Sequence, residues 1–276
     1  MKIKVKFLFF LLLVLAFSSC SPAYHYYYFQ NTHQIPLFKE KHEYRLSGDI
    51  SSENENIATN IQAAFSVTDK YAVMGSIQKF SNSTTSSENG VTDDWWTGSY
   101  FEGSFGYYKD YNNYGVFEVY SGYGNSNQHH SYTADSTYKD VTFWPLLGYD
   151  TSLATKLVYK GTSDLIFSKF YIQPQYGFSY NYFDISFSLR ISDIYFNQVR
   201  NHISKEYIAF KEIESFRNHR NYFLLEPAIT IRGGWKYVKL QFQIGASSIL
   251  GSQSFRLVDQ NFSIGINFAL AKRFLK

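Results

Sequence analysis

Residues 170–192, FYIQPQYGFSYNYFDISFSLRIS, decide the fold. In the first half Ile172, Pro174, Tyr176 and Phe178 form one file, with Tyr171, Gln173, Gln175 and Gly177 between them. After Asn181 the pattern resumes: Phe183, Ile185, Phe187, Leu189 and Ile191 stand against Asp184, Ser186, Ser188, Arg190 and Ser192. A period of two over successive apolar positions makes a strand with one apolar and one polar face. Two such strands joined by a few residues make an antiparallel hairpin. The open question is which solvent the apolar face meets.

The same alternation recurs on both sides of this hairpin. It runs upstream over residues 44–50, 57–67, 71–77, 95–108 and 115–123, and downstream over 223–231, 238–246 and 262–270. The expected architecture is all-β, with about 10 strands; residues 141–166 hold enough apolar positions for a further hairpin, so 8–12 strands stay open. Connections after the even-numbered strands are short, among them Thr68-Asp69-Lys70 and Arg232-Gly233-Gly234, and those after the odd-numbered strands are mostly longer. Residues 125–168 read as one large loop with extra strand length at either end. Residues 197–221 read as another. There Ile203, Tyr207, Phe210, Ile213 and Phe216 recur at three and four, which predicts a short amphipathic helix with Ser204 as its N-cap. Pro174 and Pro227 fall inside strands, where each removes a ladder hydrogen bond. Bulges, or positions nearer the strand ends, are expected there.

Composition answers the question of solvent. The chain has 276 residues and is 20% aromatic, with 25 Tyr and 26 Phe, yet its mean hydropathy is negative. A soluble barrel also alternates, but with the apolar face inward and Lys and Glu on nearly every outer strand face. Here the polar files are mostly Ser, Asn, Gln, Gly, Thr and Tyr. That suits a hydrated lumen, with the apolar files toward lipid.

The first residues carry an export signal. Lys2, Lys4 and Lys6 precede an apolar run from Phe7 to Phe17, too short to span a bilayer as a helix. Removing those three lysines takes the formal charge of +3 to zero, so no basic patch points to nucleic acid. Ser18-Ser19-Cys20 then resembles a bacterial lipobox, departing from it at Phe17, where a small or aliphatic residue is usual. The resemblance implies that Cys20, the one cysteine, is diacylated and becomes the first residue of the mature chain. The domain reading is therefore 1–19 lipoprotein signal peptide, 20–42 lipid-anchored leader and 43–276 barrel. Residues 24–42 are aromatic and irregular, and at ~3.3 Å per residue they reach far enough to lie along or inside a barrel mouth.

Over residues 43–270 the chain resembles the small outer-membrane β-barrel proteins of Gram-negative bacteria, in a version carrying a lipobox. The resemblance implies a closed antiparallel up-and-down transmembrane barrel with short periplasmic turns and long extracellular loops. An even strand number puts both chain ends on the periplasmic side, with the lipid in the inner leaflet of the outer membrane.

The polar file gathers Arg45, Arg190 and Lys239 with Asp49, Glu102, Glu118, Asp184 and Glu226. Buried charges must pair or stay hydrated. They would form either an ion-selective constriction or an ion-pair network filling a narrow barrel, and a barrel of this size favours the network. Glu226 is expected to answer Arg190. His202 and Ser204 share a strand-face spacing but fall at a strand end, and His129-His130 reads as a polar loop tip. His25, His33 and His42 offer no ligand spacing. No G-x-S-x-G, H-E-x-x-H, P-loop or C-x-x-C motif occurs. No metal, cofactor or catalytic residue is expected. The expected role is structural or interactive, with outer-membrane lipids and envelope proteins meeting loops 125–168 and 197–221. The alternatives are a narrow pore for small solutes and a lipid- or polymer-modifying enzyme.

Overall fold

Alternation sorts the side chains of every strand into two environments. Ile61 is 65% exposed, whereas its neighbour Gln62 is 1% exposed. Many large side chains exposed along the strands are apolar, among them Leu46, Ile50, Ile77, Phe101, Phe242 and Ile264, while Asn60, Gln78, Gln173, Gln241 and Asn267 are buried. That is the inverse of a soluble protein, and it is what lipid outside and a polar lumen inside require. The computed structural model describes residues 26–274 apart from 54–55, 87–91, 112–113, 140–153, 206–207, 252–254 and 256. Cys20 and the expected export segment lie outside the described residues.

The strands are β1 (Tyr44–Glu53), β2 (Asn56–Ser66), β3 (Tyr71–Ser86), β4 (Thr92–Tyr111), β5 (Gly115–Lys139), β6 (Ala154–Ser179), β7 (Phe183–His202), β8 (Asn221–Gly234), β9 (Val238–Ala246), β10 (Ser248–Leu250) and β11 (Gln260–Leu270). Helix α1 (Ile208–Asn218) lies between β7 and β8, and a 3-10 turn, Lys272–Phe274, follows β11. Each strand pairs antiparallel with the next from β1 to β9, β9 pairs with β11, and β11 pairs with β1 from Tyr44↔Leu270 to Ser52↔Phe262. The tiny β10 continues the line of β9 against β8 (Ser248↔Leu225). The result is a closed antiparallel barrel of ten staves, in which each of the ten long strands pairs on both sides.

Short turns at residues 67–70, 180–182 and 235–237 share one end, the short-turn end. The other end is uneven. β5 and β6 have 25 and 26 residues, against 10 in β1 and 9 in β9. The stretch expected as a large loop over 125–168 is largely strand, paired from Gly115↔Phe178 to Lys139↔Ala154. Polar residues on both faces of this high hairpin, such as Asn125, Ser126, Asn127 and Gln128, hide the alternation. The doublet His129-His130 accordingly lies within β5, not at a loop tip. Its two rings face opposite sides: His129 contacts Asp164 at 2.7 Å outside, and His130 stacks on Trp96 inside. Consecutive strand residues cannot share one metal ion from opposite faces.

β7 runs on to His202, which shortens the loop expected over 197–221. The helix expected there exists as α1, beginning at Ile208, four residues beyond the anticipated cap Ser204. Its buried side chains Ala209, Ile213 and Phe216 follow the helical spacing and cover the long-loop end of the barrel. Arg232-Gly233-Gly234 is not a turn; β8 continues through it, and the chain reverses at Trp235–Tyr237.

Neither proline sits in a bulge. Pro227 pairs with Leu189 in unbroken register, and toward β9 it faces the gap between Ala246 and Ser248 that separates β9 from β10. Pro174 pairs with Val119, while toward β7 the ladder skips from Ile172↔Ile191 to Gln175↔Ser188 without a register change. Each missing N–H therefore costs a local gap on one side only. The register shift that does occur lies elsewhere, between Ile166 and Phe167.

Candidate functional site

The lumen is not empty. Residues 26–42 run through it without regular secondary structure, and Tyr27 through Phe38 are buried at nearly every position. At the long-loop end the Tyr27 hydroxyl donates to Glu212 of α1 at 2.7 Å, and its ring meets Phe216 edge-on at 5.1 Å. At the opposite end the Lys39 ammonium donates to the carbonyl of Ser179, the last residue of β6, at 2.5 Å. The leader therefore spans the barrel from mouth to mouth before it turns into β1. Tyr26 lies at the end opposite Phe274. The end at which Cys20 and the N-terminus lie falls outside the described residues.

An extended segment with no ladder partner must satisfy its backbone some other way. Here the wall supplies side chains. Gln78 of β3 and Asn261 of β11 donate to Gln30 O, and Gln62 of β2 donates to Thr32 O at 2.7 Å. Gln243 of β9 both accepts from His33 N (2.7 Å) and donates to His33 O (3.0 Å). Gln173 of β6 donates to Gln34 O, and Arg232 of β8 donates to Ile35 O at 2.6 Å. Glu118 of β5 accepts from the amides of both Leu37 and Phe38, at 3.1 and 2.9 Å, and from Gln175. Two glycines make room. A Cβ at Gly245 would come within 2.7 Å of Gln30, and one at Gly177 within 2.9 Å of Leu37.

The leader's side chains join the charges of the wall. Glu226 receives Lys169 Nζ at 2.9 Å, Ser192 Oγ at 2.7 Å and the Tyr28 hydroxyl at 2.5 Å, while Lys169 also donates to Tyr28. Arg190 pairs with Glu102 at 3.3 Å, and Asn31 bridges them, accepting from Arg190 at 2.7 Å and donating to Glu102 at 2.9 Å. The guanidinium also lies over the Tyr171 ring. Arg190 and Glu226 are cross-strand neighbours, but the expected pair does not form: Glu226 goes to Lys169 and Arg190 to Glu102. Asp49 accepts from Thr32 at 2.6 Å and from Asn60 at 2.9 Å. Lys239 pairs with Asp184 at 2.7 Å and donates to Tyr180 O. Arg45 pairs with Glu43 at 2.7 Å.

The sequence reading missed Lys169, Arg232, Glu43 and Arg273. Lys169 has the parity of Tyr171 and Gln173, so the signal was there. Arg232 was hidden by the two glycines after it. Arg273, from the 3-10 turn, forms a fork on Glu43 at 2.5 and 2.8 Å and closes the short-turn mouth. Beside it, beyond the strand ends, the Lys39 amine is pushed down to about 8, first by burial and then by Arg273.

His33 Nδ1 and Ser188 Oγ lie 2.7 Å apart, a contact that on paper resembles a nucleophile and its base. Both are wholly buried between leader and wall, and the other ring nitrogen of His33 meets Gln30 at 3.1 Å. Among the described residues no group of three His, Cys, Asp or Glu is placed to hold a metal ion.

No family model matches this chain, and no curated protein matches it. Among solved structures it is similar to the outer membrane protease OmpT from Escherichia coli, with TM-score 0.44 and 6% identity over 83% of this chain and 94% of that one. It is also similar to the KdgM porin, with TM-score 0.34 and 8% identity over 82% and 99% of the two chains. LpxR from Salmonella typhimurium gives TM-score 0.36 and 6% identity over 81% and 99%. These are Gram-negative outer-membrane barrels. At such scores they carry no argument about what this chain does.

Proposed function

We propose that this chain is a lipid-anchored outer-membrane barrel with a structural or interaction role, sealed by its own leader. The lumen brings the leader as far as Tyr26 to the long-loop face. The observation behind this reading is the path of the leader, with Tyr27 on α1 at one mouth and Lys39 on Ser179 at the other. Outer-membrane barrels turn their short connections to the periplasm, which puts the long-loop face outside the cell. Cys20 stands six positions ahead of Tyr26, a reach of roughly 20 Å. Acyl chains there would enter the outer leaflet around the mouth, not the inner leaflet that strand parity alone suggests. Two or more chains hold a membrane stably, where one is marginal.

The test is topological. With an epitope inserted between Pro22 and Ala23, antibody is expected to label intact cells, whereas an epitope after Lys276 should require permeabilised ones. Palmitate should label the wild type and not Cys20→Ala. An N-terminal epitope that stays hidden until permeabilisation would sink the display reading.

A second reading, a narrow pore, draws on the wall's own ion pairs. Lys169–Glu226, Arg190–Glu102 and Lys239–Asp184 close without the leader, so a vacated lumen would be a polar, hydrated passage. On this reading the leader is the closed state.

A further inference from the structure

We propose that the lumen is a binding tube for an extended polypeptide, read mainly through its main chain, and that the leader is a resident occupant replaceable in trans. Among the described residues the leader makes no β-ladder with the wall; apart from Val258 N donating to Tyr28 O, its backbone is held largely by wall side chains, Gln62, Gln173, Gln243 and Glu118 foremost. Carbonyls and amides are common to all polypeptides, so such contacts do not select a sequence. Two further observations separate the tube from its occupant. The barrel closes through β1, β11, β9 and β8 without any leader residue. Three lumenal ion pairs also join wall to wall, so departure of the leader leaves those charges paired, while Glu118, Asp49 and Arg232 exchange leader partners for those of the incoming chain.

The wall also carries more hydrogen-bonding groups than this occupant uses. Gln241 Nε2, Ser263 Oγ and Asn267 Oδ1 are buried there with no protein partner among the described residues. Donors and acceptors in excess, lining a glycine-notched channel, suit a segment of varying sequence better than one fixed plug. The ligand class is an unfolded stretch of about ten residues with free main-chain amides, long enough at ~3.3 Å per residue to cross the lumen. This inference is independent of which membrane face the long loops occupy.

The experiment uses the full chain. Lys41 and His42 form an exposed turn beyond the lumen, so a protease recognition sequence inserted between them can be cut after folding. The leader is then held only by non-covalent contacts. Three labelled peptides spanning residues 26–40 are offered in excess to the nicked protein in detergent, and uptake is followed by fluorescence anisotropy. One is native; one has Gln30 and Gln34, whose side chains make no hydrogen bond to the wall among the described residues, replaced by alanine; one is native in sequence but N-methylated at Leu37 and Phe38. The native peptide should exchange in. The alanine peptide should bind within about tenfold of it, while losing two amide bonds to a carboxylate should weaken the third by about a hundredfold or more. Rejection of the alanine peptide with retention of the methylated one would overturn main-chain reading. Failure of any peptide to enter, or melting of the barrel on nicking, would show that the leader is part of the fold and overturn the proposal entirely.

Discussion

Lys169→Met is expected to destabilise the folded barrel by about 3–5 kcal/mol, because it removes the cation paired with a buried lumenal carboxylate. Glu226 is fully buried, and Lys169 is its salt-bridge partner at 2.9 Å. Ser192 and Tyr28 would still donate to the carboxylate, but two hydroxyl hydrogen bonds do not replace an ammonium inside a protein. Denaturant unfolding in lipid vesicles, followed by tryptophan fluorescence, reads the loss. The double variant Lys169→Met/Glu226→Leu removes both charges and should recover most of it, since a buried pair replaced as a unit is often neutral. A single variant within about 1 kcal/mol of wild type would contradict the burial of this pair.

Glu118→Ala is expected to open the lumen. Glu118 holds the lower half of the leader by accepting from two consecutive amides, and hydrogen bonds to a charged acceptor are worth about 1.5–3 kcal/mol each. Losing both shifts the balance between seated and withdrawn leader by roughly a hundredfold or more. In planar bilayers the wild type should be silent, because its lumen is filled, and Glu118→Ala should show discrete openings. Equal silence in both would mean that other contacts, such as Arg232 on Ile35 and Lys39 on Ser179, suffice to seat the leader.

Much of this architecture is legible in the sequence, for a physical reason. A wall between lipid and a polar lumen forces every second residue to change character, and Ile185-Ser186-Phe187-Ser188 records that residue by residue. The helix over the mouth is equally readable, because Ile213 and Phe216 must pack together on one side of α1. The rule weakens where the environment stops alternating. Above the apolar belt both faces of β5 and β6 are polar, so Asn125 to Gln128 looks like loop although it is ladder. Prolines mislead differently: Pro174 and Pro227 point to bulges, yet the barrel absorbs each as a gap on one side of its strand.

The site itself is less legible. Gln62, Gln173 and Gln243 read as ordinary members of a polar file, and nothing local says that they converge on one chain. The glutamine at 243 meets His33, which lies 210 residues away in sequence. The leader has no period at all, since a segment held by side chains from all around needs none. Charge partners are similarly underdetermined. Position and parity put Arg190 beside Glu226, but Asn31 of the leader draws Arg190 toward Glu102 instead.

The central claim is that the leader occupies the lumen, and a photo-crosslink tests it most directly. Phe29 stacks against Phe80 of β3 deep inside the barrel, with ring centres 6.4 Å apart. With p-benzoylphenylalanine in place of Phe29, irradiation of the folded protein in outer-membrane vesicles should join the leader to β3 or to its neighbours Tyr100 and Phe167, identified by mass spectrometry of the digested chain. Crosslinks confined to lipid, to other proteins or to the leader itself would contradict the account.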